Sequence, residues 1–164
     1  MRMNQVDVKG PRECSDRERE EFLKLVVQGG EVATQGLPNR IMTAETLGFL
    51  RVDNRLVGIA AVKNPSDRYR NKISDHSGFS LPEQTFLYEL GWVFIAPAAR
   101  GNKYSFHLAK AVITTVAGAG IFATSRSDNV AMHRVLAELG FQASGTAYKS
   151  KHGEYELRLF TKTT

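Results

Sequence analysis

The stretch Glu89-Leu-Gly-Trp-Val-Phe-Ile-Ala-Pro-Ala-Ala-Arg-Gly-Asn-Lys-Tyr-Ser105 decides how the whole chain is read. Its first half lies in a segment, Thr85 to Ala96, dense in Phe, Tyr, Trp, Val and Ile and stopped abruptly by Pro97, which predicts a central strand. Its second half turns through Pro97-Ala-Ala-Arg-Gly101 into a helix. Apolar residues recur there at Phe106, Ala109, Val112, Ile113 and Val116, and the helix is expected to end near Gly118 to Gly120. A helix start directly after such a turn suits an anion, because its first N–H groups and positive dipole end, with Arg100 beside them, hold a pyrophosphate without a metal. Plain strand-to-helix connections have the same pattern, so the residues alone leave both readings open.

Upstream of this stretch, Ser15-Asp-Arg-Glu18 has the spacing of a capping box, just before Phe22, Leu23, Leu25, Val26 and Val27. The spacing predicts a helix stopped by Gly29-Gly30. Two short strands follow, Leu47 to Val52 and Leu56 to Val62, joined as a hairpin through Asp53-Asn54-Arg55. The polar stretch Asn64 to Gln84 holds Pro65, Gly78 and Pro82, with the basic residues Lys63, Arg68, Arg70 and Lys72 around Tyr69, and reads as a functional or mobile loop.

Downstream, Ile121 to Thr124 is a short strand, and Ser127-Asp128-Asn129 offers N-caps for a second helix. Met132, Val135, Leu136 and Leu139 point inward on it and Gly140 closes it. Strands around Phe141 to Lys149 and Glu154 to Thr161, turning at Lys151-His-Gly153, complete the chain. The expected fold is α/β: one domain over residues 1–164, with a mixed, partly antiparallel sheet flanked by helices.

The chain has 164 residues, enough to bury a core without disulfides, and is 42% hydrophobic and 24% charged, as in soluble globular proteins. A formal net charge of +5 suits any anionic partner, nucleotide cofactor or nucleic acid, and selects none. The one cysteine, Cys14, has no internal disulfide partner, and His76, His107, His133 and His152 are scattered without zinc-ligand spacing. No metal site is expected, and a reducing cytoplasm fits. Residues 1–9 lack the apolar run of a signal peptide, and the longest apolar stretches are broken by Gly, Pro, Thr or Lys, so no membrane span is expected. Walker, nucleophile-elbow, His-Glu-x-x-His and dinucleotide fingerprints are absent, which removes kinase, hydrolase, metalloprotease and dehydrogenase readings.

Pro97, Arg100 and Gly101, following a hydrophobic strand, resemble the central motif of the GNAT superfamily of acyl-CoA-dependent N-acyltransferases. Asn129, opening a helix that ends in Leu139-Gly140-Phe141, resembles its second signature. The resemblance spans roughly residues 47–160. It implies an acyl-CoA, most simply acetyl-CoA, as acyl donor. The main chain of Val93, Phe94 and Ile95 would pair with the pantetheine arm. Arg100, Gly101, Asn102, Lys103, Tyr104 and Ser105 would form the pyrophosphate turn, and Asn129 would lie near the pantetheine. A backbone with open hydrogen-bonding groups can take an amide-bearing arm like an added strand.

The chain departs from the family pattern at three positions. Lys103 stands where a glycine is usual and Ser105 where a glycine or alanine is usual. Lys103 implies a slightly altered loop, with an ammonium added near the phosphates. Leu136 takes the place of a tyrosine that protonates the departing thiolate, and His133, Tyr104, Tyr148, Ser125 or water are the substitutes. Glu89 stands on the central strand where several family members carry a glutamate base. Beside Tyr88, Leu90 and Trp92 it would be partly desolvated and able to take a proton from an ammonium; an edge-facing solvated glutamate or a salt bridge is the other reading of the same residue.

The resulting expectation is direct transfer of an acetyl group to a primary amine, on a small molecule or a macromolecule, with Glu89, His133 and Tyr148 as the catalytic candidates. The alternatives are a nucleic-acid-directed acyltransferase or nucleic-acid-binding protein working through Arg68 to Arg70, and an inactive domain that binds CoA or a partner. A homodimer is an expectation of the resemblance only.

Overall fold

The structure, a computed structural model, describes residues 4–30 and 33–163. Seven strands, β1 (Asn4–Lys9), β2 (Thr46–Val52), β3 (Arg55–Lys63), β4 (Tyr88–Ile95), β5 (Ile121–Arg126), β6 (Gln142–Lys149) and β7 (Glu156–Lys162), form a mixed sheet in the hydrogen-bonded order β1-β2-β3-β4-β5-β7-β6. The chain packs as two compact units, one of residues 1–63 and 90–116, the other of 64–89 and 117–164.

The first unit opens with an antiparallel edge strand β1 (Asn4–Lys9) paired with β2 (Thr46–Val52), which forms a hairpin with β3 (Arg55–Lys63). Asp53 and Asn54 both have positive φ, 49° and 66°, the backbone that a two-residue turn between right-twisted strands requires. Helix α1 (Asp16–Gly29) has the full capping box: the Glu18 N–H donates to Ser15 Oγ, and the Ser15 N–H donates to the Glu18 carboxylate. Gly30, at φ 76°, ends it. A short helix, α2 (Leu37–Met42), follows with Pro38 in its first turn.

Alternation along β2 and β3 divides this unit's core into two faces. Leu47, Phe49, Ile59 and Ala61 join Phe22 and Val26 of α1 and Leu37 and Ile41 of α2. The opposite face carries Gly48, onto which helix α4 (Tyr104–Thr114) packs through Leu108 and Val112. A Cβ at Gly48 would lie 2.6 Å from Val112 Cγ1, so the missing side chain sets how closely α4 approaches the sheet.

Strand β4 (Tyr88–Ile95) gives its first two residues to the second unit and the rest to the first. In the second unit Tyr88 and Glu89 pair in parallel with Ile121 and Phe122 of β5 (Ile121–Arg126), the only registered pairs between these strands among the described residues. β5 then pairs antiparallel with β7 (Glu156–Lys162), and β7 with β6 (Gln142–Lys149). Asn129 caps helix α5 (Val130–Glu138), its carboxamide oxygen accepting the Met132 N–H at 3.1 Å, and Leu136 is the fully buried residue of that helix.

Three elements differ from the sequence reading. The stretch expected to be a loop, Asn64 to Gln84, holds helix α3 (Asp67–Ser77), capped by Ser66 and ended by Gly78 at φ 75°. Its sequence is so polar that Ile73 is the one apolar residue among the three it buries, Arg70, Ile73 and Ser77, with Tyr69 packed beside them, too sparse a stripe to stand out. β1 and α2 were also unforeseen, the first a mostly polar edge strand and the second a helix of six residues. Among the described residues no helix is long and apolar enough to cross a membrane.

Candidate functional site

Two groups of side chains matter, one in each unit. In the first, β4 leads into the turn Pro97–Ala99 and then into α4. Trp92 has φ 50° in mid-strand, a left-handed conformation that breaks the pleat locally and is rare for a bulky residue. Its ring meets Phe22 edge-on at 5.9 Å, with Lys63 Nζ 4.4 Å from its centroid. Gly91 makes this possible, since a Cβ there would lie 2.7 Å from Lys63 Cδ.

The start of α4 has no side-chain cap. The first helical bond runs from the His107 N–H to the Lys103 carbonyl, and among the described residues no backbone carbonyl takes the amides of 101–106. These are the orphan donors of a helix start, at its positive dipole end. Gly101 (φ 99°) and Lys103 (φ 57°) both have left-handed backbone. Lys103 therefore holds a backbone conformation that costs a glycine little.

Arg100 is exposed, yet its side chain is directed: Nε donates to the Ile95 carbonyl at 2.9 Å and the guanidinium lies 5.6 Å from the Phe94 ring centroid. Ile95 thus spends its carbonyl on Arg100, and the next residue, Ala96, donates its N–H to Val57 of β3 at 2.7 Å. Val93, Asn102, Tyr104 and Ser105 all lie in this segment. Tyr104 donates its hydroxyl to Asn4 at 3.3 Å and is thereby committed to β1.

In the second unit the centre is Glu89, 3% exposed. Tyr69 of α3 donates its hydroxyl to Glu89 Oε2 at 2.9 Å. Tyr148 of β6 is near enough to feel the same charge: burial first, and the Glu89 carboxylate second, push its phenol up to about 12. The Tyr69 phenol is driven well above the usual range by burial and then by Glu89. Both hydroxyls stay protonated at neutral pH, able to donate hydrogen bonds but weak as proton donors. His76 packs on Tyr148 at 5.6 Å between ring centroids.

The other candidates of this unit stand apart in their bonding. His133 Nε2 lies 2.9 Å from the Arg126 carbonyl and its ring packs on Phe160. Ser125 is buried, and Asn129 is occupied as a cap through its carboxamide oxygen. The basic run is divided by its helix. Tyr69 turns to Glu89, and Arg70, 3% exposed, pairs with Asp67 at 2.7 Å, which leaves Arg68 and Lys72 facing outward. Tyr69 is the residue whose relation to Glu89 the sequence did not reveal. Its only signal was an aromatic inside a polar stretch.

Comparison with known proteins agrees with this fold. An acyl-CoA N-acyltransferase from Pseudomonas aeruginosa superposes with a TM-score of 0.73 at 14% identity, covering 98% of this chain and 100% of that one. The protein yncA from Salmonella typhimurium, solved with its cofactor acetyl-CoA, gives 0.63 at 15% identity, over 98% and 93%. The ribosomal-protein-S18-alanine N-acetyltransferase of Escherichia coli gives 0.67 at 10% identity, over 98% and 94%. These similarities establish the fold. No curated protein matches the sequence significantly. Residues 15–141 match the family described as Acetyltransferase (GNAT), and the chain belongs to that family.

Proposed function

We propose that this protein transfers an acetyl group from acetyl-CoA to a primary amine, directly and without a covalent enzyme intermediate. The observation that carries the reading is the run of amides at 101–106, without backbone acceptors among the described residues, placed at the dipole end of α4 directly behind Arg100. Those donors fit a pyrophosphate, and Lys103 adds a positive charge while holding the turn in the conformation a glycine would adopt.

Acetyl-CoA supplies the activated acyl group and a thiolate that leaves readily. The chain's own residues bind, orient and move a proton. The backbone around Val93 and Phe94 pairs with the pantetheine arm. Ile95 takes part through its N–H, since Arg100 holds its carbonyl. Glu89 accepts the proton of the incoming amine, directly or through water. Tyr148, with its raised phenol, supports the leaving thiolate by hydrogen bonding rather than by giving up its proton. Asn129, His133 and Ser105 have secondary parts in this reading, and a cytoplasmic setting suits it.

Calorimetric titration with acetyl-CoA, followed by thiol release with a panel of primary amines, tests the proposal. Micromolar binding and turnover with at least one amine is the expected result. Absence of binding would remove the cofactor site, and binding without turnover on any amine would leave a CoA-binding domain.

A further inference from the structure

A general base needs more than proximity; its carboxylate must be held in one orientation before the substrate arrives. Glu89 has such a holder. Phe122 is its register partner on β5, and the Tyr69 ring lies against Phe122 with centroids 6.4 Å apart. From that position the Tyr69 hydroxyl reaches Glu89 Oε2 at 2.9 Å. Tyr69 is itself anchored at its main chain and its ring. Its backbone N–H donates to Ser66 Oγ, the cap of α3, at 3.2 Å, and its ring packs on the cluster of Ile73, Leu81, Phe86, Phe122 and Leu159.

We propose that Tyr69 is a positioning residue that fixes the Glu89 carboxylate; its consequence for turnover rests on the reading of Glu89 as the base. A hydroxyl donated to an ionised carboxylate is among the stronger hydrogen bonds. A phenol with few rotatable bonds, clamped by a capped helix, supplies it without further ordering. Helix α3 therefore has a task besides covering the sheet: its first turn carries the donor that orients the carboxylate.

Tyr69→Phe keeps the ring and removes only the hydroxyl, so the fold is retained. The first measurement is the infrared carboxylate band of Glu89, isolated by subtracting the spectrum of E89Q from that of wild type. In Y69F this band is expected to shift; an unmoved band overturns the proposal, and this outcome requires no acceptor. The second is turnover of acetyl-CoA with an alkylamine, an amino-acid amide and a polyamine as probes, in Y69F, E89Q and the double variant. Y69F is expected to lower kcat about ten-fold, with the KM for acetyl-CoA within about two-fold, and to have almost no further effect in the E89Q background. Equal losses in the two backgrounds would overturn it. E89Q turning over like wild type would instead overturn the base reading, while the infrared band would still decide the hold on the carboxylate.

Discussion

Arg100 Nε donates to the carbonyl of Ile95 at 2.9 Å, bridging the short turn at Pro97–Ala99 from its far side. One side chain thus ties the end of β4 to the start of the amide-lined turn, besides carrying a positive charge. Removing the charge and removing the tie are separable. Arg100→Ala loses both and is expected to weaken acetyl-CoA binding by at least about ten-fold, because hydrogen bonds involving a charged group contribute about 1.5–3 kcal/mol. Arg100→Lys keeps the charge without the guanidinium fork and should fall between alanine and wild type. Calorimetry decides, and three equal affinities would exclude Arg100 from the site.

Lys103 holds a left-handed backbone that costs an ordinary residue about 1 kcal/mol and costs glycine little. Glycine also gains entropy in the unfolded chain, so Lys103→Gly should leave stability within about 1 kcal/mol of wild type. Its effect is expected in binding: with one fewer ammonium at the turn, acetyl-CoA affinity should depend less steeply on salt. Titrations at low and moderate ionic strength measure this, and an unchanged salt slope would mean that the ammonium does not reach the phosphates.

Gly48 lies directly under α4. A Cβ there would meet Val112 Cγ1 at 2.6 Å and Leu108 Cδ1 at 3.2 Å, both side chains being fully buried. Gly48→Ala is expected to destabilise by about 1–3 kcal/mol through overpacking, and to weaken acetyl-CoA binding as α4 shifts. Urea unfolding and calorimetry on the same variant check both, and a stability equal to wild type would show that α4 is free to yield.

The phenol of Tyr148 is pushed up to about 12 from the usual 10. Between those two values the folded protein keeps a proton that the unfolded chain has released. The contribution is fully present below pH 10 and is lost as pH rises toward 12, so stability falls across that window. Tyr148→Phe should flatten the fall, though not abolish it, because Tyr69 is raised in the same direction. Urea midpoints over a series of alkaline pH values provide the measurement, and parallel curves for variant and wild type would contradict it.

Several parts of this molecule were legible in the sequence because they are settled within a few residues. The Ser15–Glu18 box, the Asp53-Asn54 turn, the Asn129 cap and the Pro97-to-Gly101 turn each depend on bonds or backbone dihedrals spanning at most five positions. Type and order of these elements were enough to suggest the family that residues 15–141 match. Local chemistry was sufficient there because capping and turn formation are short-range events.

The tertiary structure alone decided the rest. Helix α3 buries Arg70 and Ser77 beside a single apolar residue, Ile73, so its polar sequence has no stripe to read. Tyr69, Glu89 and Tyr148 come from a helix and two strands far apart in the chain, and a charge meeting two phenols is a matter of sheet register and helix docking. The left-handed backbone of Trp92 and the engagement of the Ile95 carbonyl by Arg100 likewise arise once β4 is held in place. Sequence determined which local elements form, since their energies are local. Packing decided which side chains face one another, since that follows from contacts between distant segments.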